Sequence, residues 1–309
     1  MLLQAERQNR EETERVLKKT GMTAGRIAFG ILSAMILLGL SFIILYPLLF
    51  MCSMAFRSTA DISDPSVIWI PRHFTLQNLS DALRFMKYGE TLKNTFSLGI
   101  VSSLLQIVSC ALVGYGLARF RFRGRGLLFA LILVVLLVPP STILTPLYVR
   151  FNYMNLFGIR FSLINTYWPF VLMSLTGLGL KNGLYIYLVR QFFRGMPDEL
   201  EESAYIDGAG PFRAFRSVML PNARNILLVT FIFSLTWQWT DNAITPMFLP
   251  NLNVFATVVH GLSPDYTNAI QQGAINSIAA LLIMAPLLVI YLFLQRRIIQ
   301  GVESSGIVG

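Results

Sequence analysis

The chain is poor in everything that metal, redox or disulfide chemistry requires. Two cysteines, Cys52 and Cys110, and two histidines, His73 and His260, stand at no ligand spacing, which excludes a disulfide framework and a Cys/His zinc centre. No G-x-x-x-x-G-K-[ST] run occurs, so the chain lacks a phosphate-cradling loop, and nothing resembles a nucleophile with its base. The expectation is a protein that is not itself an enzyme. Charge is the scarcest commodity: 13% of the 309 residues are charged, against 54% hydrophobic, with 23 Phe and 12 Met, whereas soluble chains run near about 25% charged. With a mean hydropathy of +0.59, an ordinary soluble domain is excluded and lipid is the expected solvent.

Long stretches carry no charge at all: Ile27 to Phe56, Asn94 to Ala118, Gly126 to Val149, Phe161 to Leu180 and Tyr266 to Gln295, with a shorter run from Asn225 to Thr240 that extends to Leu249 if Asp241 is tolerated near an end. A helix rises about 1.5 Å per residue, so roughly 20 residues cross the hydrocarbon. The reading is an all-α membrane protein of six transmembrane helices, at about 27–52, 94–118, 127–149, 163–189, 225–248 and 274–295. A cytoplasmic arm 1–25 precedes the six-span transmembrane domain 26–298, and a cytoplasmic tail 299–309 follows it. The first run is too long for a signal-peptide core and is expected to be a retained anchor.

The net charge of +9 is a matter of topology. Seventeen of the 25 cations fall in the arm, in Arg119 to Arg125, in Arg190 to Arg224 and at Arg296 and Arg297, while seven lie in the longer loops of the other side and Lys181 sits by the fourth span. The positive-inside rule puts both termini in the cytoplasm, which an even number of spans requires. No basic cluster carries a readout motif, so nucleic acid is not an expected partner. The arm residues Gln4 to Lys19 mix both signs at helical spacing and predict a short solvated helix. Pro139, Pro140 and Pro146 must bend or interrupt the third span, and Gly177, Gly179 and Gly183 loosen the fourth.

One loop is more than a spacer. In 194–224, Pro197 opens a helix whose first turn is crowded by Asp198, Glu199, Glu201 and Glu202, where carboxylates favour a helix N-terminus. It stops at Asp207-Gly208-Ala209-Gly210-Pro211, and a second stretch with Phe212, Phe215, Val218 and Met219 on one stripe ends at Leu220-Pro221. A helix-turn-helix with an apolar stripe suits a partner's groove.

At this point the residues resemble a known family. Glu202-Ser203-Ala204, Asp207-Gly208-Ala209, Phe212, Phe215 and Leu220-Pro221 are similar to the EAA loop of permease subunits of ATP-binding-cassette importers, E-A-A-x-x-D-G-A followed by L-P, with Ser203 the one departure. Asn94-Thr95, Gly114 to Arg119, Leu188 to Phe193 and Arg296 to Gly301 resemble the smaller permease of the maltose-type, carbohydrate-importing branch. The resemblance implies the type I importer fold in a bacterial or archaeal cell membrane. It also implies a second homologous permease, two cytosolic ATPases that bind ATP and Mg, an extracytoplasmic solute-binding protein and a carbohydrate substrate, with no cofactor on this chain. One ATPase cleft would receive the loop helix, Glu202 and Asp207 pinning its charged end and Gly208 acting as hinge. The outer segment Pro246 to Gln272 resembles the loop that reaches the binding protein, with Asn253 and Ser263 as contact positions.

For the substrate path the fifth span offers Trp237, Gln238 and Asp241, and the fourth offers Tyr167 and Trp168, since sugars are held by aromatic faces beside amides and carboxylates. Trp237 and Asp241 are expected to share a helical face with Phe233 and Ile244. An interfacial aromatic belt explains the same cluster, and the branch's W-N-D-F is here Trp237-Gln238-Trp239-Thr240-Asp241-Asn242. Lys181 snorkels, pairs or meets substrate. A secondary carbohydrate transporter or a non-transport scaffold are the rival functions.

Overall fold

The structure is a computed structural model. It describes the backbone of residues 2–261 and 269–306 and the side chains of residues 29–139, 142–259 and 272–295. The chain divides into two units, Met1–Thr75 and Leu76–Gly309.

The first unit is dominated by α1 (Leu2–Ala55), a single helix in which Pro47 is accommodated. The predicted separate arm helix is therefore corrected: the arm continues without a break into the apolar stretch Phe29–Ala55, which is exposed within the unit over most of its length and buried at Ser53 and Ala55 near its end. After it, α2 (Thr59–Ser63) starts at Ser58, whose Oγ accepts from the Asp61 N–H at 3.2 Å. The loop closes on itself through two buried charges. Arg57 donates from Nε and Nη2 to Ser53 Oγ (3.1 and 2.8 Å) and from Nη2 to the Ile68 carbonyl. Asp61 accepts from the His73 N–H at 2.7 Å and faces His73 Nδ1 at 2.8 Å.

The His73 backbone N–H, more than its ring, holds the Asp61 carboxyl below its ordinary value of 3.8. A depressed folded-state pKa contributes stability that is fully present above the unfolded value and is lost as pH falls through the folded one. Limited proteolysis should therefore find 56–75 resistant at neutral pH and cleaved only once the pH drops below about 3.8, and Asp61→Leu should be cleaved at pH 7. Equal cleavage of wild type and variant at neutral pH would dismiss this contact as the clasp.

The second unit is built on α4 (Tyr88–Arg119), preceded by the amphipathic α3 (Gln77–Phe85). The third predicted span is two helices, α5 (Arg125–Leu137) and α6 (Pro140–Asn152), with a 101° bend between them. The break falls at Pro139-Pro140, where the first proline biases its neighbour away from helix and the second starts a new one. Pro146 continues inside α6. A hairpin of β1 (Met154–Leu156) and β2 (Ile159–Phe161) follows, pairing Leu156 with Ile159 across a turn in which Phe157 and Gly158 both have positive φ, the two-residue geometry that matches strand twist. The fourth predicted span is interrupted where two of its three glycines loosen it: α7 (Trp168–Leu175) and α8 (Asn182–Gly195) are separated by six residues around Gly177 and Gly179, while Gly183 lies within α8.

In 194–224 come α9 (Glu199–Ile206), α10 (Pro211–Ala214), a π-helical turn Phe215–Met219 and α11 (Leu220–Asn222). The fifth predicted span, 225–248, is α12 (Arg224–Thr240) followed by a separate α13 (Ile244–Phe248); α14 (Phe255–Gly261) and α15 (Ala269–Gly306) complete the described residues. Pro286 does not interrupt α15.

α4 packs against α7, α8 and α12, and α12 against α15. One apolar core joins Leu98, Phe170 and Met173 to Ile244, Phe248 and Val254. Another joins Ala111 and Tyr115 to Val189, Phe193, Phe215 and Met219. Among the described residues three helical stretches are long and apolar enough to cross a bilayer, Phe29–Ala55, Tyr88–Arg119 and Gln272–Gln295, or five if each of two bent pairs is one span.

Candidate functional site

The 194–224 loop is a rigid extension of the helices beneath it. α9 ends in two hydrogen bonds, Ala209 N–H to the Ala204 carbonyl (2.9 Å) and Gly208 N–H to the Tyr205 carbonyl (3.0 Å). That is the Schellman arrangement, with Gly208 in the left-handed conformation at φ +79°. It accounts for the motif spacing: Ala204 is the third residue from the helix end and Ala209 the second beyond the cap. The expected hinge at Gly208 is thus a hydrogen-bonded corner. The apolar stripe is split as well, because the π turn directs Phe215 and Met219 into the core while Phe212 stays 69% exposed.

A buried carboxylate ties the corner down, and it is Glu201 rather than Glu202. Its Oε1 accepts from Tyr115 Oη (2.5 Å) and Tyr205 Oη (2.6 Å), and its Oε2 lies 3.5 Å from Arg119 Nε. Arg119 also pairs with Asp198 and donates to the Met196 carbonyl at 2.6 Å. Partial burial, followed by the Glu201 carboxylate, raises the Tyr205 hydroxyl above its ordinary range and keeps it a donor. The Tyr115 ring packs on Phe193 and Phe215, with centroids at 5.6 and 4.7 Å. The end of α4, the end of α8 and the loop are therefore tied together by side-chain contacts. Arg119, read from sequence as a topology anchor, and Glu201, read as one of several first-turn acids, are the residues holding the loop that this reading missed.

What remains exposed is a compact face: Glu202, Ser203, Tyr205 and Asp207, with Ile206 86% exposed and Phe212 beside the corner. Leu220 is half-buried and Pro221 starts the approach to α12, which lies at 75° to the preceding segment. The face is apolar at its centre with acids at its edge.

The fifth-span candidates do not converge as expected. The helix stops at Thr240, so Asp241 leaves the predicted face and caps α13: Oδ2 accepts from the Thr245 N–H at 2.5 Å and Oδ1 from Ile244 at 3.3 Å. Gln238 is buried and donates to Thr245 Oγ1 at 3.1 Å. Trp239 is buried too, its Nε1 donating to the Ile283 carbonyl. Ile244 joins the core instead of a stripe with Phe233. The exposed stripe of α12 is Phe233, Thr236, Trp237 and Thr240. Beside it the Lys181 ammonium lies 4.7 Å from the Trp237 ring centroid, so Lys181 pairs with an aromatic face. Tyr167 packs against the core that contains Phe248, its Oη 3.5 Å from the Asn94 carbonyl, while Trp168 is exposed.

In the outer segment, Asn253 is held to α4, its Nδ2 donating to Glu90 Oε1 (3.1 Å) and its carbonyl accepting from Asn94 Nδ2 (3.0 Å). Ser263 lies outside the described residues. Among the described residues no group of three or more His, Cys, Asp or Glu could hold a metal ion.

Residues 111–304 match the family described as binding-protein-dependent transport system inner membrane component. The trehalose transport system permease of Mycobacterium tuberculosis is 30% identical over 272 residues, covering 86% of this chain and 93% of that one. A maltodextrin transport system permease of Bacillus subtilis is 30% identical over 276 residues, covering 87% and 93%. The diacetylchitobiose uptake system permease of Streptomyces coelicolor is 29% identical over 281 residues, covering 90% and 88%. The fold is that of a chain in the crystal structure of a bacterial ABC transporter involved in import of the acidic polysaccharide alginate, with a TM-score of 0.66, 19% identity, and coverage of 87% of this chain and 95% of that one. The chain belongs to the family of binding-protein-dependent transport system inner membrane components, the multi-pass permease subunits of ATP-binding-cassette importers.

Proposed function

We propose that this permease carries a carbohydrate across a bacterial or archaeal cell membrane as one half of a pore, paired with a second homologous permease. Two cytosolic ATPases, binding ATP and Mg, drive it, and an extracytoplasmic binding protein delivers the sugar. The relatives' substrates, trehalose, maltodextrin and diacetylchitobiose, support a saccharide. Six spans with both termini cytoplasmic fit if α5 with α6, and α7 with α8, each make one broken crossing, and the cation distribution favours that orientation.

The observation that carries the coupling role is the exposed Ile206 and Phe212 on a loop whose base is locked by Glu201 and Arg119. A large apolar side chain that is almost wholly exposed at the tip of a rigid element fits a partner's cleft. The rigid base lets ATPase closure turn whole helices as a body. The double variant Ile206→Glu/Phe212→Glu should leave the two permeases assembled and cut ATPase co-purification at least tenfold. Full ATPase recovery with normal uptake would refute the assignment.

The α12 stripe with Lys181 is the better candidate for the path than Gln238 or Asp241, both committed to holding α13. That commitment also disfavours a secondary transporter using Asp241 as its ion-coupling carboxylate. Thr236→Cys and Trp237→Cys, in a background lacking Cys52 and Cys110, should react with a water-soluble thiol reagent faster when ATP is trapped. Phe231→Cys reacting as fast would make the stripe an interfacial belt.

A further inference from the structure

The break between α7 and α8 collects polar side chains where the surrounding bundle is apolar. Gln106 of α4 donates from Nε2 to the Leu180 carbonyl inside the break (3.1 Å), and its Oε1 accepts from Ser234 Oγ of α12. Ser109 Oγ, also on α4, lies 2.7 Å from the Ser174 carbonyl at the end of α7. These groups meet one another's needs.

Asn182 does not share in this. It opens α8, is 2% exposed, and neither Oδ1 nor Nδ2 has a hydrogen-bond partner among the described residues; the Tyr185 hydroxyl, three residues on and on the same helix face, is likewise buried and has none among them. Buried polar groups are nearly always satisfied by protein or by ordered water. A primary amide has four hydrogen-bonding positions, and here its two ends face the turn of the break. Oδ1 lies 2.9 Å from where a Cβ on Gly179 would stand, and Nδ2 4.0 Å from one on Gly177. A Cβ on Gly179 would also stand 2.2 Å from Gln106 Nε2, so the absence of a side chain there is what lets both amides reach the backbone of the break. Cys110 closes the other side, its Sγ 3.8 Å from the Asn182 carbonyl, in the same buried cluster as Tyr185.

We propose that this break is a buried hydration site, in which ordered water bound by the Asn182 amide and the Tyr185 hydroxyl makes the α7–α8 joint a hinge. Irregular backbone at membrane depth survives only where protein or water satisfies it, and a buried water needs two to four polar partners. Water can exchange its hydrogen bonds as the two half-helices change angle, so the joint bends without exposing an amide to hydrocarbon. The claim is independent of which substrate the importer carries.

Cys110 and Tyr185 are built-in reporters. In the assembled importer in lipid nanodiscs, radiolysis of bound water should oxidise both, although they are fully buried. Cys110 should react several-fold faster than Met219, which is equally buried among aromatic side chains. Asn182→Leu and Tyr185→Phe should each bring the Cys110 rate down toward that of Met219, and Tyr185→Phe removes only a hydroxyl should Asn182→Leu fail to assemble. The rate should also change when the ATPases are trapped closed. Cys110 reacting no faster than Met219, or unaffected by Tyr185→Phe, would overturn the water site. A rate identical in the open and closed complexes would overturn the hinge.

Discussion

Glu201→Ala is expected to be the most damaging single change in the loop, although Glu201 is buried beneath the exposed face. Removing it leaves the Tyr115 and Tyr205 hydroxyls without their shared acceptor and Arg119 beside an empty space. Deleting one member of a buried, hydrogen-bonded charge pair costs on the order of 3 kcal/mol. That is enough to free α9 from the end of α4 while the apolar core of Val189, Phe193 and Met219 keeps the helices folded. Uptake should fall below a tenth of wild type while the ATPases still hydrolyse ATP when bound, the mark of uncoupling. Glu201→Gln, which keeps an acceptor oxygen, should be milder, and Glu202→Gln, on the exposed side, should leave the fold untouched. If Glu201→Ala and Glu202→Ala have equal effects on proteolytic resistance of the loop, the buried anchor is misassigned.

Gly208→Val is expected to follow closely. At φ +79° an L-residue strains, a β-branched one most, by about 1–2 kcal/mol. Beyond its chain neighbours, no heavy atom of the described residues lies within 4 Å of where the Cβ would sit, so conformation rather than crowding is the objection. Because the residue sets the corner between α9 and α10, the helix can escape the strain only by moving Ile206 relative to Phe212. A severe loss of uptake with normal membrane insertion is the expected outcome. Gly208→Asn, which tolerates the left-handed region, should recover most of it. Were Asn as damaging as Val, the strain argument would fail and direct contact with the ATPase would be the better account.

The contrast between Glu201 and Glu202 shows where reading residues in a line stops. Adjacent positions on a helix point about 100° apart, and an acidic first turn does not say which carboxylate faces inward. That was decided by Tyr115 and Arg119, some 80 residues earlier, arriving at the end of α4. Asp241 teaches the same lesson in reverse. Its neighbours predict a helical face, but the helix ends one residue before it, since its carboxylate is better used on three backbone N–H groups of the next helix.

The placement of apolar stretches and their interruptions at Pro139-Pro140 and Gly177–Gly179 was determined by sequence alone, as was the stop at Gly208. Each depends on local physics: the transfer cost of charge, the missing N–H of proline and the backbone freedom of glycine. Tertiary structure alone decided that Glu201 is the anchor, that Lys181 stacks on Trp237 and that the Asn182 amide faces the break with no hydrogen-bond partner among the described residues. Each of these is a pairing, or a failure to pair, between groups on different elements, and side-chain identity does not specify a neighbour until the helices have packed.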